Sequence, residues 1–100
     1  MNTANLQLEE LLMAMAEINR LLVARGLLTS SEIEDALRRA EAGLGGERFN
    51  ELSPANRDAI AFPIRILQLA SQANTDGVAP DFSGLAKKVG ETKKPYNDQQ

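Results

Sequence analysis

The 100-residue sequence contains no cysteine, no histidine and no tryptophan. Without cysteine the chain has no disulfide, thiolate nucleophile or thiolate metal ligand, and without histidine it lacks the commonest general base and metal ligand. Most side-chain mechanisms of catalysis depend on one of these groups. The composition therefore favours a protein that is not an enzyme and that needs no metal or cofactor.

An excess of basic residues and a long apolar run are also missing. The net charge is −3 and the pI is near 4.9, which disfavours binding to a nucleic-acid backbone. No apolar run approaches the roughly 20 residues that a membrane span requires. The first five residues, Met1 to Asn5, lack the basic start and cleavage site of a signal peptide. We therefore expect a cytoplasmic protein that binds neither nucleic acid nor membrane.

What is present is the pattern of a small helical domain, with 43% hydrophobic and 25% charged residues. From Leu6 to Leu28, the apolar spacing predicts one long helix with a buried face about 120° wide. The sequence Arg25-Gly26-Leu27 predicts its end, with the glycine in a left-handed cap and Leu27 folded back onto the helix. The predicted face consists of Leu8, Leu11, Leu12, Met15, Ile18 and Leu22.

A second helix is predicted from Ser30 to about Ala42. Thr29 and Glu32 have the spacing of a capping box, and Leu28 and Ile33 that of a hydrophobic staple. Because the joint is short, we expect an antiparallel hairpin in which Ile33 and Leu37 pack on the end of the first helix.

The segment Gly26–Ile33 resembles a Gly-Leu-Leu/Ile-Thr-x-x-Glu-Leu/Ile joint of several unrelated bacterial proteins, including helical segments of secretion ATPases and nitrile-hydratase-type subunits. The resemblance covers under a tenth of the chain. It implies shared capping chemistry and no shared function.

Three glycines between residues 43 and 46 predict a loop or hinge, which Phe49 and Leu52 pin to the core. Ser53 and Pro54 then predict the start of a third helix that extends to about Ala73. Within it, Pro63 predicts a kink, because the apolar arc keeps its phase across the proline. A complete break at this position is the alternative.

The composition changes after Asn74: the first 74 residues contain seven arginines and no lysine, whereas residues 75–100 contain four lysines and no arginine. We therefore divide the chain into a helical domain, 1–74, and a partly disordered extension, 75–100. Residues 81–89 can form a short fourth helix, and disorder is expected beyond Gly90. The predicted fold is an all-α bundle of three principal helices.

Two arginines, Arg57 and Arg65, lie on the narrow polar side of the predicted third helix. Guanidinium groups on an otherwise apolar helix can bind an anionic ligand, although solvation or an internal ion pair also explains them. The alternative function is therefore an anion-binding or accessory subunit of a bacterial enzyme.

The favoured function is a helical protein-interaction module. A domain of about 74 residues without disulfide or metal has a small core. Such domains commonly gain stability by burying apolar surface between chains. Half of the twenty residues from Leu6 to Arg25 are Leu, Met, Ile or Val, more than the predicted neighbours can cover. The expected partner is a second copy, in a homodimer or larger oligomer, or another protein on the same surface. The predicted interface is Leu8, Leu11, Leu12, Met15, Ile18, Asn19 and Leu22, with Asn19 setting the register.

Overall fold

The computed structural model describes residues 3–43, 51–77 and 81–92. This part of the chain contains four helices and no strand: α1 (Thr3–Ala24), α2 (Ser30–Ala42), α3 (Pro54–Thr75) and α4 (Phe82–Thr92). The predicted all-α bundle with a short fourth helix is therefore confirmed. The predicted glycine loop beyond Gly43, Phe49 and the tail beyond residue 92 lie outside the described residues.

The end of α1 has the predicted left-handed glycine. Gly26 has φ +71°, and its N–H donates to the carbonyl of Val23 while the N–H of Leu27 donates to that of Leu22, both at 3.0 Å. These two bonds form a Schellman motif. The Leu27 side chain is 70% exposed, which shows that it does not fold back onto the helix as predicted. The contact from Leu27 back to the helix is the hydrogen bond of its backbone N–H to the Leu22 carbonyl.

Gly26→Ala is expected to destabilise the fold by about 1 kcal/mol, because a Cβ strains the left-handed backbone. Gly90→Ala is the matched control, since Gly90 lies in α4 with open space around its Cβ position. There alanine is expected to stabilise by about 0.5–1 kcal/mol through helix propensity. Urea unfolding of both variants measures the difference. Equal effects of the same sign would contradict the role assigned to Gly26.

The start of α2 contains the predicted capping box. The Thr29 hydroxyl accepts from the Glu32 backbone N–H at 3.0 Å, and the Glu32 carboxylate accepts from the Thr29 N–H at 2.9 Å. Of the two predicted staple residues, Ile33 is buried and Leu28 half-buried. Local sequence therefore determines where this helix begins.

The third helix begins as predicted, with the Ser53 hydroxyl accepting from the Asn56 N–H at 3.2 Å and Pro54 in the first turn. It continues through Pro63 to Thr75, so the alternative of a complete break is wrong. Proline removes one backbone bond, but buried residues lie on both sides of it, including Ala61 and Ile66. Because the same apolar arc is buried on both sides of Pro63, α3 stays one continuous helix.

The central helix of the fold is α3, which packs against each of the other three helices. The second helix was predicted to pack on the end of α1, whereas the principal neighbour of α2 is α3. The reason is that the apolar arc of α3 spans more than half its circumference and can accept three neighbours. The core cluster consists of Leu12, Ala16, Ile66, Leu67, Ala70, Leu85 and Val89.

The fourth helix belongs to this same core. Its Leu85 and Val89 are buried, and the ring of Phe82 meets that of Phe62 edge to face with centroids 6.1 Å apart. At its start, the Asp81 carboxylate accepts from the Gly84 N–H at 2.7 Å. The core therefore includes residues from both sides of the predicted boundary at residue 74.

None of the helices in the described ranges combines the length and the apolar character needed to cross a membrane.

Candidate interaction surface

The first helix has two apolar faces that differ in what covers them. One face carries Leu12 and Ala16, which are about 5% exposed and belong to the core shared with α3. The other face carries Leu11 and Ile18, which are 60% and 52% exposed. At about 100° per residue, the two faces are adjacent on the helix. Packing on α3 therefore uses only one edge of the predicted apolar stripe.

We name the uncovered face the α1 strip. Its members are apolar, lie within an arc of about 140° in helical projection and run along nearly the whole helix. All are exposed except Leu22, which is half-buried where its carbonyl accepts the capping bonds. The strip consists of Ala4, Leu8, Leu11, Ala14, Met15, Ile18, Leu21 and Leu22.

Two residues of the predicted interface lie outside the strip. Leu12 faces the chain's own core, and Asn19 is half-buried beside a groove between α1 and α3. Three strip members, Ala4, Ala14 and Leu21, were missed by the sequence analysis. The sequence of α1 does not identify them, because the position of α3 determines which flank of the stripe stays exposed.

The charged side chains of α1 avoid the strip. Arg20 and Glu17 form an exposed ion pair outside the strip. The hydrogen bond from Arg20 lowers the pKa of Glu17, and the same bond raises the pKa of Arg20. Both groups are therefore charged at neutral pH and are paired with each other. Glu10 and Glu17 precede Ala14 and Leu21 by four residues and border one edge of the strip, while no charged residue of α1 lies within the strip itself.

A groove of about 500 Å³ lies where α1, the start of α2 and the end of α3 meet. Its polar walls are partly satisfied internally: the Thr75 hydroxyl donates to the Ser71 carbonyl at 3.2 Å and is hydrogen-bonded with the Ser30 hydroxyl at 3.3 Å. No buried side-chain nitrogen or oxygen lacks a hydrogen-bond partner in the described ranges. The groove therefore shows no group that calls for a ligand.

Arg65, the first candidate anion-binding residue, is held in an internal network. Its guanidinium donates to Asp58 at 2.8 Å and lies 3.6 Å from the Glu41 carboxylate of α2, to which Gln68 also donates at 3.2 Å. This network joins α2 to α3. An anion at Arg65 would have to compete with two carboxylates for one cation.

Arg57, the second candidate, donates from Nε to the Leu52 carbonyl at 3.2 Å and so ties the preceding turn to α3. It lies eight residues from Arg65, which is about 12 Å along the helix. Anion binding here stays a prediction.

Among the residues that the structure describes, no group of three acidic, histidine or cysteine side chains is placed to hold a metal ion. No protein-family model, curated protein or solved structure matches the chain. The exposed surface of α1 is therefore the feature of the described chain that bears on its function.

Proposed function

We propose that the protein is a non-catalytic interaction module that self-associates through the α1 strip, in the cytoplasm. One observation carries the proposal: α1 leaves a continuous apolar face exposed along its length. Scattered exposed apolar side chains are ordinary, but a contiguous patch of this kind is typical of an interface.

Two further features support a second copy of the chain as the partner. The strip is uncharged, so two copies can face each other without burying an unpaired charge. The strip lies on a regular helix, and a two-fold axis can bring the same face of two copies together. A strip from Ala4 to Leu22 is about 27 Å long, and helices of that length pair through interdigitated side chains.

Sedimentation equilibrium of the purified chain at micromolar concentration tests the proposal. We expect a mass that approaches twice the chain mass of 10.9 kDa as the concentration rises. A single mass of 10.9 kDa across the range would reject self-association. A partner of another kind on the same surface is the competing outcome, and it too would leave the isolated chain monomeric.

The alternative, an anion-binding or accessory subunit, would involve Arg57 and Arg65. Both residues donate to groups of the chain itself, with which an anion would have to compete. Titration with inorganic phosphate, followed by the arginine side-chain NMR signals, distinguishes the two functions. Saturable shifts at Arg65 would support the alternative.

A further inference from the structure

The fourth helix is short and contains two glycines, so its own sequence favours the helical form only weakly. It is 11 residues long, below the roughly 12–15 residues that an isolated helix needs in water. The glycines are Gly84 and Gly90, and a glycine inside a helix lowers the helix-forming equilibrium about fivefold relative to alanine. Packing does not require the second of them, because a Cβ at Gly90 would meet no atom within 4 Å. The helical form of α4 therefore depends on its contacts with the rest of the chain.

Apolar contacts hold α4 on α3. Leu85 and Val89 are buried in the core cluster, and the Phe82 ring packs edge to face on the Phe62 ring. Within the described ranges no ion pair joins α4 to another helix, whereas α2 is joined to α3 by an ion pair as well as by apolar contacts. Dissociation of α4 from α3 therefore breaks apolar packing and separates no pair of charges.

The arrangement of the helices makes α4 separable from the others. Each outer helix, α1, α2 and α4, makes its main contacts with α3, and contacts between the outer helices are minor in the part of the chain that the structure describes. Leu12 and Ala16 of α1 lie in the same cluster as Ile66 and Ala70 of α3. Loss of α4 therefore exposes one side of this cluster and leaves the packing of α1 and α2 on α3 in place.

From these observations we infer that α4 is a detachable strap, which leaves α3 and unfolds as a unit while the other three helices stay packed. Parts of a folded protein open separately when the contacts that they lose are fewer than those of the whole core. The open form uncovers the apolar surface beneath Leu85 and Val89, on which an amphipathic helix packs in the closed form. The inference is independent of the proposed self-association, because the α1 strip lies outside the core cluster.

Amide hydrogen exchange of the full chain, followed by NMR at one fixed chain concentration, tests this inference. The probes are the backbone amides of residues 85–89 in α4, and their protection factors are compared with that of Ile66 in α3. Two variants change helix propensity at exposed positions: Gly90→Ala strengthens α4, and Ala36→Gly weakens α2 by a matched amount. Exchange in dilute urea adds a second measurement, because an opening that exposes buried surface accelerates with urea.

We expect the α4 amides to share one urea-dependent protection factor that is about tenfold or more below that of Ile66. Gly90→Ala should raise this protection about two- to fivefold, whereas Ala36→Gly should leave it within a factor of about 1.5, because α2 stays packed when α4 opens. If Ala36→Gly lowers the protection of α4 about fivefold, or if wild-type α4 is as protected as Ile66, then α4 opens only when the whole chain unfolds and the inference fails. Protection that declines gradually toward the end of α4 without urea dependence would show fraying of the helix end, which also overturns the inference.

Discussion

Replacing Leu11 by glutamate is expected to convert the dimer into a monomer without changing the fold. Leu11 is the most exposed large apolar side chain of the α1 strip, at 60%, so a carboxylate there is hydrated in the isolated chain. In the dimer the same group is desolvated in both copies without a cationic partner on the strip, which costs several kcal/mol. We expect the dimer dissociation constant to rise by a factor of about 100 or more, equivalent to about 2.7 kcal/mol.

Leu6→Glu is the matched control for this substitution. Leu6 is also an exposed leucine of α1, at 42%, but it lies about 140° from Leu11 around the helix. It should leave the dimer dissociation constant within a factor of about three, since it adds the same charge outside the interface. Sedimentation equilibrium measures both variants. A Leu11→Glu variant that dimerises as tightly as Leu6→Glu would show that the strip is not the interface.

Leu12→Glu gives a third, contrasting result. Leu12 is a direct neighbour of Leu11 in sequence but is 5% exposed and packs in the core. Its replacement is expected to unfold the chain, because an unpaired carboxylate is then buried in the monomer itself. Circular dichroism separates this loss of helix from the dissociation expected for Leu11→Glu. Intact helix content in Leu12→Glu would contradict the assignment of Leu12 to the core.

Among substitutions that leave the chain folded, the largest effect on stability is expected for Ile66→Ala. Ile66 is fully buried, at 0% exposure, in the core cluster that α1, α3 and α4 share. Removing three methyl or methylene carbons there leaves a cavity and should lower the free energy of unfolding by about 3–4 kcal/mol. For a small domain with a typical stability of about 5–15 kcal/mol, this is a large share of the total.

Ile60→Ala provides the control, because Ile60 lies on the same helix and is 46% exposed. Its loss should cost less than about 1 kcal/mol, since little burial is removed. Both variants are compared by urea unfolding at one fixed chain concentration, because self-association adds a concentration-dependent term to the apparent stability. Similar costs for the two isoleucines would mean that α3 does not present Ile66 to the core.

The local chemistry of the chain could be predicted from the sequence because it depends on neighbours a few residues apart. The left-handed Gly26, the Thr29–Glu32 capping box and the Ser53–Pro54 start each satisfy backbone groups within one turn. The all-α class followed from the apolar periodicity, and the absence of cysteine and histidine limited the chemistry that the chain can perform. The position and width of the apolar stripe on α1 could also be read directly.

Only the tertiary structure decided which part of that stripe is covered. Periodicity shows that Leu11 and Leu12 are both apolar, but they point about 100° apart, and the position of α3 determines that Leu12 is buried and Leu11 exposed. The central place of α3, the packing of α2 on it and the ion pair of Arg65 with Glu41 depend in the same way on contacts between residues distant in sequence. Helix pairing depends on how all the apolar faces can be covered together, and no single helix contains that information.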